Sequence, residues 1–442
     1  MTKLIKILTL LLVVVITITS CKFEEPDLFD KSAAERLTLA KERSMEALLS
    51  APNGWVMDYF PTVDHKGYTF LVKFLPNQSA ILAAKNNTTG NVYEIDTCAY
   101  EMISDNGPVL TFNLVGNNTK VSKVGIFHLF TNPEDDEGVG NQGQGVGYGG
   151  DYEFMVINTA DEKIALKGKK RGVYIDLYRI PEGKNWEEYF TDLDNMRNFL
   201  FDSKVTLQLK KGNETIYQLL NSTTSVFGQL PIGGDIITDL KNRPFITTNY
   251  GIRLSQPLEM DSVKKITIQQ FNLNAERNKL ISAEDENYTI VGPQPGDFIK
   301  GDNSIFLATK EQTTGMDALF DLLKSESISG INANYEIESI GFGRKDGRPA
   351  LALYTKNRIT ALFNIPLTVE GNRITIATFD AQNMTNSDMD TNARNFYSRL
   401  GSIKQLLTVI QGSYTIETST PLSLRVIKYT KTDASLTLNV SR

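Results

Sequence analysis

Only two histidines, His65 and His128, and two cysteines, Cys21 and Cys98, occur in the 442 residues. That scarcity bounds the chemistry. A zinc centre built on imidazoles lacks ligands, and a nucleophile needing a histidine base has two candidates. His65 lies in the turn Asp64-His65-Lys66-Gly67 and is expected to be exposed, whereas His128 sits between Phe127 and Leu129; neither has a partner visible along the chain. There is no H-E-x-x-H and no G-x-S-x-G, so the zincin helix and the α/β-hydrolase nucleophile elbow are excluded. The 52 acids contain no pair that the sequence singles out for glycoside hydrolysis.

Gly138-Val139-Gly140-Asn141-Gln142-Gly143 fits G-x-G-x-x-G, and Gly145 to Gly150 repeats it. A dinucleotide site needs a strand before this loop and a helix after it. Here acids precede and a strand pattern follows, so the segment reads as a loop. Asp135, Asp136 and Glu137 supply hard oxygens of the kind calcium takes and form a candidate cation loop, although a solvated charge run has the same composition. Asp388, Asp390 and Asn392 open an EF-hand spacing that fails at Ala393 and Arg399, where glycine and glutamate are needed. No firm metal site and no cofactor is expected. Tyr59 and Tyr148, near loops, are the candidate ligand-facing aromatics; most other aromatics alternate along strands, which places them in a core.

The elements that must position these residues are mainly strands. Ser32-Ala33-Ala34-Glu35 has capping-box spacing, and Leu37, Met45, Leu48 and Leu49 follow at helical intervals, which predicts a helix over 32–50. From Trp55 the period becomes two, with turn signals such as Pro76-Asn77 between alternating runs. Helical spacing returns at 185–200, 314–324 and 390–411, and strands close the chain near 413–418, 423–429 and 435–440. The pattern predicts a mainly β (α+β) protein, with an antiparallel, barrel- or lipocalin-like first domain over 32–182. Strand-rich modules over 183–300 and 301–442, with a few helices, follow. Thr247-Thr248-Asn249, Pro257-Leu258, Ile266 to Ile268 and Phe271 recur about 108 residues later as Thr355-Lys356-Asn357, Pro366-Leu367, Ile374 to Ile376 and Phe379, which suggests a duplicated strand unit.

The first twenty residues read as an address. Lys3 and Lys6 precede an apolar run from Leu8 to Ile18, the length of a signal segment and short of a bilayer span. Ile18-Thr19-Ser20-Cys21 resembles the lipobox of bacterial lipoproteins, which implies cleavage before Cys21 and lipidation of its thiol. Residues 21–31 form an acidic tether. In it, Lys22, Glu24 and Glu25 resemble the export signal of Bacteroidota lipoproteins, which implies an outward-facing position on the outer membrane. With Cys21 lipidated, Cys98 is alone and reads as a small core residue.

Several segments resemble one family of Bacteroidota lipoproteins, domain of unknown function 4302. They are Ala34-Glu35-Arg36-Leu37, Asn53-Gly54-Trp55-Val56, Asp105-Asn106-Gly107-Pro108, Gly150-Asp151-Tyr152-Glu153-Phe154 and Leu166-Lys167-Gly168-Lys169-Lys170. The resemblance implies envelope location near nutrient-uptake systems and carries no catalytic residues. Trp55 at the first strand and Arg179 at the last are also similar to the Trp–Arg pair of lipocalin-like barrels, where a guanidinium covers the indole.

The net charge of −6 gives no electrostatic footprint for nucleic acid. The sequence is read as a non-catalytic binding or accessory lipoprotein, anchored to the membrane by lipid, capturing a glycan or peptide beside outer-membrane uptake proteins. A structural or assembly protein of the envelope is the alternative, with a hydrolase third.

Overall fold

The computed structural model describes residues 30–113, 148–200, 205–221, 225–261, 263–432 and 436–441. Helix α1 (Ala33–Leu49) starts at the predicted capping box: the Ser32 hydroxyl accepts from Glu35 N, and the Glu35 side chain accepts from Ser32 N.

The first domain is a closed antiparallel barrel in which each strand pairs with the next and the eighth returns to the first. Its strands are β1 (Trp55–Tyr59), β2 (Tyr68–Phe74), β3 (Ser79–Ala84), β4 (Glu94–Ser104), β5 (Pro108–Asn113), β6 (Glu153–Thr159), β7 (Lys163–Gly168) and β8 (Tyr174–Arg179). Closure removes free edges, and alternation sends one side-chain set inward. Trp55, Met57, Tyr59, Phe70, Val72, Leu82, Tyr100, Phe112, Phe154, Leu166 and Leu177 fill the interior, with Leu48 of α1 packed among them.

Helix α2 (Trp186–Leu200) leads out of this barrel. Its Tyr189, Phe190 and Leu193 pack on the outward-facing Val56, Leu71 and Ala83 of the first barrel. Its last turn, through Met196 and Leu200, enters the core of a second barrel. One helix therefore seals two units.

The second barrel is also closed and eight-stranded. It comprises β9 (Thr206–Lys211), β10 (Glu214–Asn221), β11 (Val226–Pro231), β12 (Lys241–Thr248), β13 (Gly251–Asp261), β14 (Ile266–Leu273), β15 (Lys279–Ser282) and β16 (Tyr288–Val291). Leu422 and Leu424, from far downstream, complete its core.

The C-terminal unit has two open sheets. One is four-stranded, from β17 (Ala308–Thr309), β19 (Ile337–Lys345), β20 (Arg348–Thr355) and β21 (Thr360–Asn364). The other is six-stranded, from β18 (Thr313–Thr314), β22 (Leu367–Glu370), β23 (Arg373–Ile376), β24 (Gly412–Thr418), β25 (Val426–Lys431) and β26 (Thr437–Ser441). The short α3 (Pro295–Ile299) precedes them, and α4 (Asp317–Gly330), α5 (Thr391–Arg399) and α6 (Gly401–Val409) share their core.

Two helical expectations are revised. The helix predicted over 314–324 starts after Gly315 and runs on to Gly330. The helix predicted over 390–411 is two helices, broken at Leu400, whose backbone is extended (φ −114°, ψ 111°). Glu326 of α4 stabilises the break by accepting from both the backbone N (2.9 Å) and Oγ (2.6 Å) of Ser402, in the first turn of α6. The repeated motif corresponds to a hairpin: Leu258 pairs with Ile268, and Leu367 with Ile376. The first copy lies in a closed barrel and the second spans two open sheets, so the likeness stops at the hairpin.

Candidate functional site

Residues singled out along the chain hold the first barrel shut. Trp55 pairs with Arg179 across the closing seam, and the guanidinium lies 5.0 Å from the indole ring. The indole N–H donates to Leu48 O (2.9 Å), and Arg179 donates to Ser50 O (2.7 Å) and Asp161 O (2.7 Å). Asn53 donates to Pro181 O and Lys184 O, both at 2.8 Å. The buried Asp151 carboxylate accepts from Lys170 N and Arg171 N, each at 2.8 Å, and so caps the turn between β7 and β8. A Cβ at Gly168 would lie 2.0 Å from Asp151 Oδ2, which explains glycine there.

The structure corrects two expectations at the opposite end of this barrel. Tyr59 faces no ligand: it is fully buried, packs edge-on against Phe70 (5.6 Å) and Phe154 (6.4 Å), and donates to Asp151 O (3.2 Å). Tyr59 shares the inward parity of Trp55 and Met57, and that parity overrides its nearness to a loop. His65 is half-buried rather than exposed, with its ring 5.5 Å from Tyr68 and 5.2 Å from Tyr148. Burial, above all, holds its pKa below the usual imidazole value. Tyr148 is half-buried in this cluster, and its hydroxyl accepts from Asn87 Nδ2 (3.1 Å). Cys98 is a buried core residue whose thiol is pushed up to about 12 by burial, with the Asp96 charge adding.

The failed EF-hand acids are helix caps. Asp390 accepts from Ala393 N (2.7 Å), and Asp388 accepts from Thr385 N (3.0 Å). Among the described residues, no group of three His, Cys, Asp or Glu side chains could hold a metal. Cys21, Lys22, Glu24, Glu25, His128, Asp135, Asp136 and Glu137 lie outside the described residues.

A charged joint that the sequence did not reveal lies between the barrels. Asp58 and Asp176 are paired neighbours on β1 and β8, facing outward. Arg253 of β13 is ion-paired to Asp176 and lies 3.9 Å from Asp58. Lys163 (3.0 Å) and the Tyr178 hydroxyl (3.2 Å) also reach Asp176. All three core members of the joint are buried. Burial raises Asp58 to about 7, with the Arg253 charge opposing the shift and Asp176 adding to it.

A polar cleft of about 690 Å³ lies between the second barrel and the C-terminal unit. Gln208 and Lys210 of β9 and the pair Asn278-Lys279 line one side; Gln294, Asp297, Asn372, Glu417 and Thr418 line the other. A Cβ at Gly292 would lie 1.9 Å from Pro421 O, so glycine lets the linker lie directly on the neighbouring loop and fixes the floor. Asp297 and Glu417 carry their own lysines, Lys300 (3.0 Å) and Lys428 (3.8 Å). Lys210 and Lys279 make no ion pair among the described residues. The cleft thus offers four carboxamides and two free ammonium groups, a set that hydrogen-bonds to hydroxyls, peptide groups and carboxylates.

No curated protein matches this chain. Among solved structures, a protein described as a DNA polymerase III β subunit from Eubacterium rectale aligns over 91% of this chain and 97% of its own, at 9% identity and a TM-score of 0.13. DNA polymerase III subunit β from Borrelia burgdorferi aligns over 92% and 96%, at 10% identity and a TM-score of 0.13. At such scores neither carries a conclusion about fold or function. One protein family matches residues 25–275, more than half of the 442 residues and all of the barrel-closing motifs. The chain therefore belongs to the family described as a domain of unknown function, DUF4302.

Proposed function

We propose that this protein is a non-catalytic binding lipoprotein of the bacterial outer membrane, held by lipid on Cys21 and facing outward, that captures a polar glycan or peptide for uptake. The observation that carries the binding role is the 690 Å³ cleft with its carboxamides and free lysines. Its volume is that of a small-molecule site. The lipobox ending at Cys21 and the residues Lys22, Glu24 and Glu25 support the location. The non-catalytic reading is supported by the Asp58–Asp176 pair, the one carboxylate pair with a strongly raised member among the described residues: it is sealed between the barrels and lines none of the cavities described.

The test is a thermal-shift screen of the chain from Asp27 onward against oligosaccharide and peptide pools. A ligand at about 100 times its dissociation constant stabilises the folded state by about 2.7 kcal/mol, a shift of a few degrees. The shift is expected to vanish in Lys279→Ala. No shift from either pool would sink the capture role. Protease added to intact cells is expected to cut the protein, and protection there would overturn the outward location.

A second reading, assembly with other envelope proteins, is favoured by loop tips on the second barrel. Ile237 is 92% exposed and Val263 is 91% exposed. Ile237→Ser with Val263→Ser would abolish co-purification of a partner if that reading holds.

A further inference from the structure

A cavity of about 340 Å³ sits at one end of the second barrel, where β11 stops and β12 starts. Alternation along these strands decides what faces it. Phe227 and Phe245 belong to the barrel interior and stack there, with ring centres 4.4 Å apart. Gln229 shares the parity of Phe227, and Lys241 and Arg243 share that of Phe245, so all three point inward beyond the stacked rings. Tyr217, Leu258 and Met260 line the same cavity and pack with the apolar interior. Gln229 is 5% exposed, and its Oε1 accepts from Arg243 Nε at 2.6 Å, which pins the guanidinium. Arg243 is half-buried, and its two terminal nitrogens donate to no group among the described residues. Neither Arg243 nor Lys241 makes an ion pair there. The two acids at the cavity, Asp239 and Glu259, are exposed on its rim. Glu259 alternates with the inward Leu258 and Met260 and so faces out, and Asp239 accepts from Asp235 N (2.8 Å).

An inward-facing guanidinium, held by a buried amide, without an acid and among apolar walls, is half of an ion pair. We infer that the mouth of the second barrel binds a small apolar carboxylate. Its two oxygens take the free nitrogens of Arg243, whose planar fork matches them, and Lys241 adds charge at the rim. Its apolar body lies along Tyr217, Leu258 and Met260. One half-buried cation compensates one negative charge, which suits a carboxylate. Barrel mouths are favoured ligand sites, and an eight-stranded barrel has room for one small ligand. The volume, at the lower end of small-molecule sites, limits the body to a short acyl chain or a single ring. The site shares no residue with the polar cleft, and the inference does not rest on what the cleft binds.

Titration calorimetry at neutral pH tests it, on the chain from Asp27 onward, which retains every described element. The probes are octanoate and hydrocinnamate, with octanamide, octylamine and acetate as controls. Saturable binding of at least one of the two apolar acids is expected, and which one binds tells an acyl chain from a ring. Octanamide should bind about ten-fold more weakly than octanoate, the effect of losing a charge-assisted pair, and acetate and octylamine should not bind. Arg243→Met is expected to abolish the preference for the acid over the amide while raising the melting temperature without ligand, since an uncompensated cation is gone. A merely structural Arg243 would leave that preference unchanged. Gln229→Met keeps the charge but releases the guanidinium, and should shrink the preference several-fold; it decides the matter even if Arg243→Met does not fold. Binding of neither acid, octylamine binding as tightly as octanoate, or an unchanged preference in Gln229→Met would overturn the proposal.

Discussion

Arg253 of the second barrel is ion-paired to Asp176 of the first, and the pair is buried beside a second carboxyl, Asp58. The joint between the barrels is therefore electrostatic as well as apolar.

Its pH dependence follows from the sign of the Asp58 shift. The folded pKa, about 7, lies above the unfolded value of 3.8, so between those values the folded state binds more protons. Stability therefore falls as pH rises from about 4 to about 7, by up to roughly 4 kcal/mol, and is level above that. Asp58→Asn removes this slope and is expected to be more stable than the parent at pH 8 and similar at pH 4. Urea denaturation at the two pH values reads the difference; a less stable variant at pH 8 would show that ionised Asp58 is a favourable partner of Arg253.

At the seam of the first barrel, Arg179→Ala removes the contact over Trp55 and the hydrogen bonds to Ser50 and Asp161. The expected loss is about 2–4 kcal/mol. Arg179→Lys should recover less than half of it, because one ammonium cannot serve both carbonyls and the indole face. Chemical denaturation of the three proteins gives the ranking.

The contact of Asp151 with Gly168 calls for a double-mutant cycle. Gly168→Ala places a methyl group within 2.0 Å of the carboxylate and is expected to cost about 1–3 kcal/mol. In an Asp151→Ala background the same change should cost markedly less, since the contacts with Asp151 Oδ2 and Cγ are gone and only the Cβ, at 3.1 Å, remains close. Equal costs in the two backgrounds would contradict the packing described.

Cys98 offers a check on the barrel interior. In the chain from Asp27 onward it is the sole thiol, and burial holds it protonated at neutral pH. Iodoacetamide at pH 8 is expected to leave it unmodified in the folded protein and to label it fully in urea. Rapid labelling without denaturant would place that strand differently.

What could be read along the chain was what is local. The Ser32–Glu35 box, the alternation from Tyr68 to Phe74, and the turn signals each lie within a few residues, and each marks its element. The Trp55–Arg179 contact was suggested along the chain only by a two-residue likeness to lipocalin-like barrels, and the seam between the first and eighth strands supplies the reason: it sets the two residues opposite each other. Tyr59 could have been placed by parity, since it alternates with Trp55 and Met57. The joint was invisible: Asp58, Asp176 and Arg253 look like ordinary outward-facing charges until the second barrel covers them. The polar cleft was invisible for the same reason, because its walls come from β9, the linker before α3 and β24.

Leu422 and Leu424 have a consequence for the order in which the molecule assembles. They lie beyond most of the C-terminal unit, yet fill the core of the second barrel. As the chain emerges from its amino end, the first barrel has all its strands once Arg179 is out, whereas the second waits with an apolar opening until those leucines arrive. During that interval the second barrel is the vulnerable part of the nascent protein, the part that a holding chaperone would need to cover.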